Sequence, residues 1–425
     1  MKLIRTYGRG ARQTEAALQA LELRGGAALD EVLPTVRKIV ASVRREGDRA
    51  LLRYAAKFDS LSGVAALRVT EAEMAAAWDE TGAAMREALT LCAAQIRGFA
   101  ERQRPQDWSW SPVAGLTVGQ RVLPLDAVGC YVPSGRHPLP STLLMTAIPA
   151  QVAGVRRIVA ISPKPARESL AAAYLLGIKE FYRVGGAHGI AALAYGTEQI
   201  ARVEKIAGPG SLFVTAAKRM VSEHCPIDML AGPTEIVVTS ERGNVAAIAA
   251  DIVAQAEHDP EALAVLVTTN ELLARNVIAE VGVRSRKNLI AREALSAKGL
   301  AIVTKTLDEA HELTNRIAPE HLTVDAAKDL AWVRNAGSVF VGRYSAQPMG
   351  DYISGPNHTL PTGGVARTRG GLSVNDFIKL ITVQEYTAEA LRTLGSSAIE
   401  LAEAEGLTGH AEAIRARLKP GRKNA

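Results

Sequence analysis

The sequence predicts an α/β fold with mostly parallel sheets. Two observations carry the prediction: from about residue 120 short apolar runs alternate with helical stretches, and glycine-rich turns close several of those runs. The first hundred residues read as helices, through VLPTVRKIVASVRREGDRALLRYAAKFD and TEAEMAAAWDETGAAMREALTLCAAQIRGFAERQ. Thr70 followed by Glu73 marks a capping box at the start of the second stretch. The strand candidates then follow in order: VGCYVP, RRIVAIS, EFYRVGG, EIVVTS, LAVLVTT, LAIVTKT and SVFVG. After Ser373 the chain reads as helical to its end, through SVNDFIKLITVQEYTAEALRTL and SSAIELAEAEGLTGHAEAIRARL. No internal repeat or low-complexity segment interrupts this order.

With 425 residues and 48% apolar content the chain can bury at least one large core, and its length suggests two to three domains. Lys and Arg exceed Asp and Glu by six, but part of the excess sits in the last stretch, at Arg415, Arg417, Lys419, Arg422 and Lys423. Aromatics are only 4%, so basic surface interleaved with stacking rings is not expected, and neither is a nucleic-acid partner. Cys92, Cys130 and Cys225 are odd in number and far apart, which reads as buried or free thiols in a reducing compartment. The N-terminal MKLIRTYGRGARQTEAA has no apolar h-region, and no run of about 18 apolar residues occurs. The expectation is a cytoplasmic protein with no membrane partner.

Three stretches place glycines after a strand candidate. VGCYVPSGRHPLPST (Val128 to Thr142) reads equally as a cofactor loop or a surface turn. VGGAHGIAALAYG and KIAGPGSLFVTAAKR each put glycines between a strand and a helix, where backbone N–H groups can meet a pyrophosphate. Neither is G-x-G-x-x-G, so the pattern supports an anion site and names no cofactor. Metal-capable residues are scattered: Gln255 and His258, Glu320 and His321, Asp351, and His410. Gln255 and His258 are three apart and can face one target from one helix. Imidazole, carboxylate and amide oxygen together suit zinc, with the remaining groups delivered by folding. Taken singly, QAEHDP is better explained by ordinary polar helix residues. Glu320 and His321 can serve one reacting centre if they lie on a loop. GDYISGPNHTLPTGG packs Asp351, Tyr352, Asn357 and His358 among turn residues, and Glu405 and His410 require a loop or cap between them. His137, His224 and His311 have no companions and read as surface or structural.

Together, GTEQIARVEKIAGPG, IDMLAGPTEIVV, DIVAQAEHD, NRIAPEHL, GDYISGPNHTLPTGG and EGLTGHAEAIR resemble the histidinol dehydrogenase family, in the right order over nearly the whole chain. The resemblance implies oxidation of L-histidinol through L-histidinaldehyde to L-histidine, the last steps of histidine biosynthesis, with two NAD and one zinc per site. It implies Gln255, His258, Asp351 and His410 as zinc ligands and Glu320 with His321 as the acid–base pair. Substrate contacts would come from the same four ligands with Thr234, His321 and Glu405, and cofactor contacts from Tyr131, His188 and Ser211. The implied fold is two incomplete Rossmann-like domains with helical N- and C-terminal arms. On this sequence the implied parts are an N-terminal arm over 1–24, a first domain over 25–127 with 236–372, a second over 128–235, and a dimerisation arm over 373–425. That arm would complete the partner's site in a homodimer, placing Glu405 and His410 in the second subunit's centre.

Three positions depart from the family pattern. His188 stands where glutamine is usual, Ser211 where asparagine is usual, and Thr234 replaces a serine while keeping its hydroxyl. Three other readings follow from the residues: a related zinc and NAD-dependent dehydrogenase of another small polar alcohol such as a sulfonated diol, a zinc hydrolase using Glu320 as base, and a silent protein whose metal staples the dimer. A carboxylate at Glu405 suits a cationic substrate and repels a sulfonate, which favours histidinol.

Overall fold

The computed structural model describes residues 1–8, 11–22, 24, 27–61, 63–134 and 138–418; His137 lies outside them. Its strands, in chain order, are β1 (Lys2–Arg5), β2 (Arg68–Val69), β3 (Trp108–Val113), β4 (Leu116–Pro124), β5 (Ala127–Tyr131), β6 (Arg157–Ile161) and β7 (Glu180–Tyr182). They continue as β8 (Lys205–Ala207), β9 (Glu235–Thr239), β10 (Leu263–Thr268), β11 (Leu300–Val303), β12 (His321–Val324), β13 (Ser338–Val341) and β14 (Ile378–Tyr386). The chain divides into two units, one of Met1–Gln103 with Leu125–Phe377, the other of Arg104–Pro124 with Ile378–Ala425.

The larger unit holds two sheets. Six strands run parallel in the order β1-β11-β10-β9-β12-β13. Every residue of β9 and β10 is buried, as a parallel sheet covered on both faces requires. The alternation is explicit: Ile236 and Val238 join one apolar cluster, and Val237 between them joins the other. The second sheet has the order β2-β7-β6-β5-β8, parallel except for β2. Here Val159 and Ile161 face one cluster and Ala160 the opposite one.

The expected partition needs correcting in three places. Residues 1–24 are not wholly helical, because Lys2–Arg5 pair with β11 as an edge strand. The helices Ala27–Glu46 and Asp48–Phe58 belong to the five-stranded sheet, with Val36, Ile39 and Val43 packed among Val159, Ile161 and Leu193. The helix Ala83–Gln103 likewise buries Leu89 and Ile96 among Leu143 and Ala160. An apolar stripe specifies a buried face and not which sheet covers it, so the assignment of 25–127 to residues 236–372 had no physical anchor. Finally, the segment after Ser373 forms β14 before it turns helical, pairing antiparallel with β4 from Ile378↔Pro124 to Tyr386↔Leu116. Ile-Lys-Leu-Ile-Thr-Val is rich in β-branched residues, which favours a strand, although its apolar residues keep no strict period of two. This pairing makes the smaller unit a three-stranded sheet, β14-β4-β3, with the helices Ala388–Ala404 and Thr408–Leu418.

Local signals hold elsewhere. The Thr70 hydroxyl accepts the Glu73 N–H at 3.2 Å while the Glu73 carboxylate takes the Thr70 N–H at 2.8 Å, closing the capping box. The long first helical stretch breaks at Gly47, whose φ of 56° lies in the left-handed region. All three cysteines are free and buried, and burial pushes the Cys130 thiol up to about 12. His311 stacks on Trp332 with ring centroids 4.2 Å apart, and His224 packs edge-on to Tyr195.

Candidate active site

Open parallel sheets bind ligands at the carboxyl ends of their strands, where the strand order reverses. In the six-stranded sheet that point lies between β9 and β12, and it is filled from within. The Asp325 carboxylate accepts the Ser240 hydroxyl at 2.6 Å and the Glu241 N–H at 2.8 Å, while the Glu241 carboxylate accepts the Thr269 N–H at 2.7 Å. The donors that would meet a bound anion are taken by internal carboxylates.

The predicted catalytic and metal-capable residues gather at the opposite edge, where β9 and β12 begin. Thr234 immediately precedes β9, Glu320 precedes β12, and His321 is its first residue. The helix Val245–Ala256 runs back from β9 to β10, so its last turn returns to that edge and brings Gln255 to Thr234. The Thr234 hydroxyl accepts from the Gln255 amide and donates to Glu320 Oε2 at 2.6 Å. The Glu235 N–H reaches the same oxygen at 2.8 Å. Glu235 is itself a buried carboxylate, matched by Arg24 at 2.6 Å and by the Gly363 N–H at 2.9 Å. Sequence reasoning missed this pair, since nothing marks Arg24 as the partner of a residue 211 positions away.

His321 is buried, and its Nδ1 lies 3.0 Å from the Glu235 carbonyl, so Nδ1 carries the proton and Nε2 faces Asp351 Oδ1 at 3.7 Å. Burial disfavours its imidazolium, but the Glu320 and Asp351 carboxylates outweigh burial and raise it to about 10. For Asp351 burial works against the charge, and His321, with smaller help from His358 and His258, still holds the carboxyl below its ordinary value. Asp351 thus has His321 at 3.7 Å, with His358 and His258 near enough to favour its charge. His358, unassigned in the sequence reading, has its Nδ1 2.8 Å from the Asp351 carbonyl, and burial lowers it below an ordinary imidazole. Gln347, also unforeseen, donates to Asp351 Oδ2 at 3.1 Å. Among the described residues no three His, Cys, Asp or Glu side chains close a metal site by themselves. Glu405 and His410 belong to the smaller unit, where Glu405 caps the helix Ala388–Ala404, Gly406 turns the chain at φ 74°, and His410 lies exposed in the next helix.

The five-stranded sheet is different at its carboxyl edge. Its reversal point lies between β5 and β8, and Gly208 follows β8 at φ 117°, so close to the Tyr131 carbonyl that a Cβ would collide with it. Buried Lys218 ties this turn together, donating to the Gly208 carbonyl at 3.0 Å and pairing with Asp228, which in turn accepts the Gly208 N–H at 2.7 Å. Ser211 is the exposed N-cap of the helix Leu212–Val221 and makes no side-chain cap bond; Gly185, the N-cap of the helix Gly186–Tyr195, has no side chain to cap with. Tyr131 and His188 are buried. The Tyr131 hydroxyl accepts the Gly186 N–H at 3.3 Å, and His188 Nε2 sits 2.7 Å from Asp59 Oδ2, which also takes the Gly185 N–H at 3.0 Å. Both side chains hold the Gly185–Gly186 turn, so the expected direct cofactor contact of His188 meets an imidazole already engaged by Asp59.

The histidinol dehydrogenase family model matches residues 23–418. The chain belongs to the histidinol dehydrogenase family. It is 47% identical over 421 residues to the histidinol dehydrogenase of Geobacillus kaustophilus, covering 94% of this chain and 99% of that one. It is 43% identical to that of Syntrophotalea carbinolica, covering 95% and 96%. The crystal structure of histidinol dehydrogenase from Elizabethkingia anophelis superposes with a TM-score of 0.92 at 32% identity, with 98% of each chain covered. The histidinol dehydrogenase fold therefore sets the Thr234–Gln255–Glu320–His321–Asp351 cluster at the strand-start edge of one sheet and the two glycine turns at the strand-end edge of the other.

Proposed function

We propose that the chain oxidises L-histidinol through L-histidinaldehyde to L-histidine with two NAD, the last steps of histidine biosynthesis, as a cytoplasmic homodimer with one zinc per site. The observation that carries this reading is the linked cluster of Gln255, Thr234, Glu320, His321 and Asp351 around a buried acceptor, the Gln255 Oε1 atom, that has no donor among the described residues. An amide oxygen held this way fits a cation, as do the Asp351 carboxylate and His258 two residues past the helix end. Gln255, His258 and Asp351 would hold the metal, with His410 from the partner subunit's copy of the smaller unit as the fourth ligand. For NAD the supporting features are the N-terminus of the helix Leu212–Val221, where Ser211 makes no side-chain cap bond, the Gly208 turn, and Ser162 Oγ just after β6, buried with no partner among the described residues. Ser211 and the backbone of both glycine turns would meet the cofactor, with Tyr131 and His188 shaping the second turn.

When bound, zinc supplies a Lewis-acid anchor for the imidazole and amine nitrogens of the substrate, and NAD supplies the acceptor for both hydrides. His321 takes the alcohol proton at Nε2, its ring fixed by the bond from Nδ1 to the Glu235 carbonyl. Serving as base near neutral pH requires that one of its two carboxylate neighbours be neutralised, and commitment of Asp351 to a cation does this. In the second oxidation Glu320 takes a proton from the water that adds to the aldehyde, while His321 returns its proton to the aldehyde oxygen and so forms the hydrate. Thr234 and Glu235 fix that carboxylate through Oε2. His321 then accepts the proton of the hydrate as the second hydride leaves. Thr234 and Glu405 complete the substrate contacts.

The smaller unit supports the homodimer. Leu380 and Ile381 are neighbours on β14, so they point to opposite faces of a three-stranded sheet, yet both are exposed, as are Trp108 and Trp110. Apolar surface on both faces is what a partner chain would cover. No helix among the described residues is long and apolar enough to cross a membrane.

The deciding experiment counts NADH formed per histidinol consumed by zinc-loaded protein, with a sulfonated diol and a cofactor-free ester in parallel. The expected ratio is two. No NADH from histidinol with turnover of either comparison substrate overturns the proposal.

A further inference from the structure

We propose that Gln347 is a positioning residue that selects which oxygen of Asp351 faces the reacting centre, an inference that rests on the metal-site reading above. Gln347 stands immediately before the helix Pro348–Tyr352 and is 1% exposed. Three of its groups have defined surroundings. Its Nε2 donates to Asp351 Oδ2 at 3.1 Å. Its backbone N–H lies near enough to the carboxyl of Asp251, on the helix Val245–Ala256 one turn before Gln255, to favour that group's charged form. Its Oε1 is buried and has no donor among the described residues.

The orientation of this amide follows from its partner. A carboxylate accepts and cannot donate, so reversing the amide would set oxygen against oxygen at Asp351. The arrangement therefore keeps the Asp351 bond and leaves the amide oxygen unsatisfied inside the protein. A side chain retained for stability would satisfy both ends, since an orphaned buried acceptor is unfavourable. What the residue does secure is the rotamer of Asp351. With Oδ2 occupied, Oδ1 is the oxygen that lies 3.7 Å from His321 Nε2. Carboxylates that ligate metals are themselves held by hydrogen bonds, and loss of such a partner weakens the metal without touching it.

The test compares Gln347→Met, close in volume, and Gln347→Ala with the unchanged full-length protein, reading the zinc dissociation constant by competition with a chromogenic chelator and the melting temperature of the metal-free form. The expected result is zinc binding weakened by about 10- to 100-fold in both variants, with the metal-free melting temperature of Gln347→Met unchanged or raised. Zinc affinity equal to that of the unchanged protein overturns the inference while leaving the proposed function standing. So does a lowered metal-free melting temperature in Gln347→Met, or failure of both variants to fold, because each marks a structural residue. Absence of zinc binding by the unchanged protein overturns the metal-site reading itself, and the inference with it.

Discussion

Thr234→Val removes one hydroxyl that two buried groups share. Valine has nearly the volume of threonine, so packing is kept while the hydrogen bonds are lost. Glu320 is left with the Glu235 N–H as its donor, and the Gln255 amide hydrogen, in a side chain 1% exposed, faces a methyl group. The lost bond to an ionised carboxylate contributes about 1.5–3 kcal/mol, and stranding a buried amide donor costs about 1–3 kcal/mol. The two effects hinge on one atom and do not add fully, so the expected destabilisation is about 2–4 kcal/mol. Thr234→Ser keeps the hydroxyl and loses one methyl from a half-buried site, which costs at most about 0.8 kcal/mol. Urea unfolding of the metal-free protein at fixed protomer concentration separates the two variants, because metal and subunit linkage are then constant. Activity should follow the same order, since Glu320 and Gln255 are both released in the valine variant. Equal stability of the two variants would falsify the shared-hydroxyl argument.

Three further outcomes follow from the geometry. Replacing His321 by Asn should lower kcat for both oxidations by about 100- to 10,000-fold, the span of general-base catalysis; an undiminished first hydride transfer in single-turnover absorbance would show that another base operates. If His410 serves the partner's centre, mixed His258→Ala and His410→Ala subunits should regain activity that neither homodimer has, and demonstrated heterodimers without recovery would place each site within one chain. Burial raises the Asp251 carboxyl to about 6 from an ordinary 3.8, so between these values the folded protein holds a proton that the unfolded chain has released. Stability therefore falls as pH rises from about 4 to about 6. Asp251→Asn, which keeps an acceptor for the Gln347 N–H, should flatten that slope in metal-free unfolding measurements, and an unchanged slope would assign it to other groups.

Much of the architecture was legible because burial leaves a simple trace. Continuous runs such as EIVVTS and LAVLVTT are strands covered on both faces, and they emerge as β9 and β10. The Thr70 capping box was legible because the partners are three residues apart. The β14 segment was misread because its apolar residues keep no strict alternation, a true helix follows it, and its pairing is completed by a strand more than two hundred and fifty residues away. Pairing at that distance leaves no local mark. The same limit applies to the site. Gln255, Glu320 and His321 announce themselves by residue type, but Arg24 and Gln347 acquire their tasks only when folding supplies Glu235 and Asp351. His188 has a partner of the same hidden kind: its Nε2 lies 2.7 Å from Asp59, at a distant helix end that no local pattern marks.

The two ligand edges of the larger unit are opposite ends of the same kind of βα layer. Where β9 and β12 start, the helix Val245–Ala256 presents its terminal carbonyls; where β5 and β8 finish, the helices Gly186–Tyr195 and Leu212–Val221 present their first N–H groups. Aligned peptide dipoles make the former end partially negative and the latter partially positive, each contributing about 0.3–1 kcal/mol toward a complementary charge. Backbone polarity therefore makes one edge of the chain the more favourable for a positive charge and the other the more favourable for a negative one.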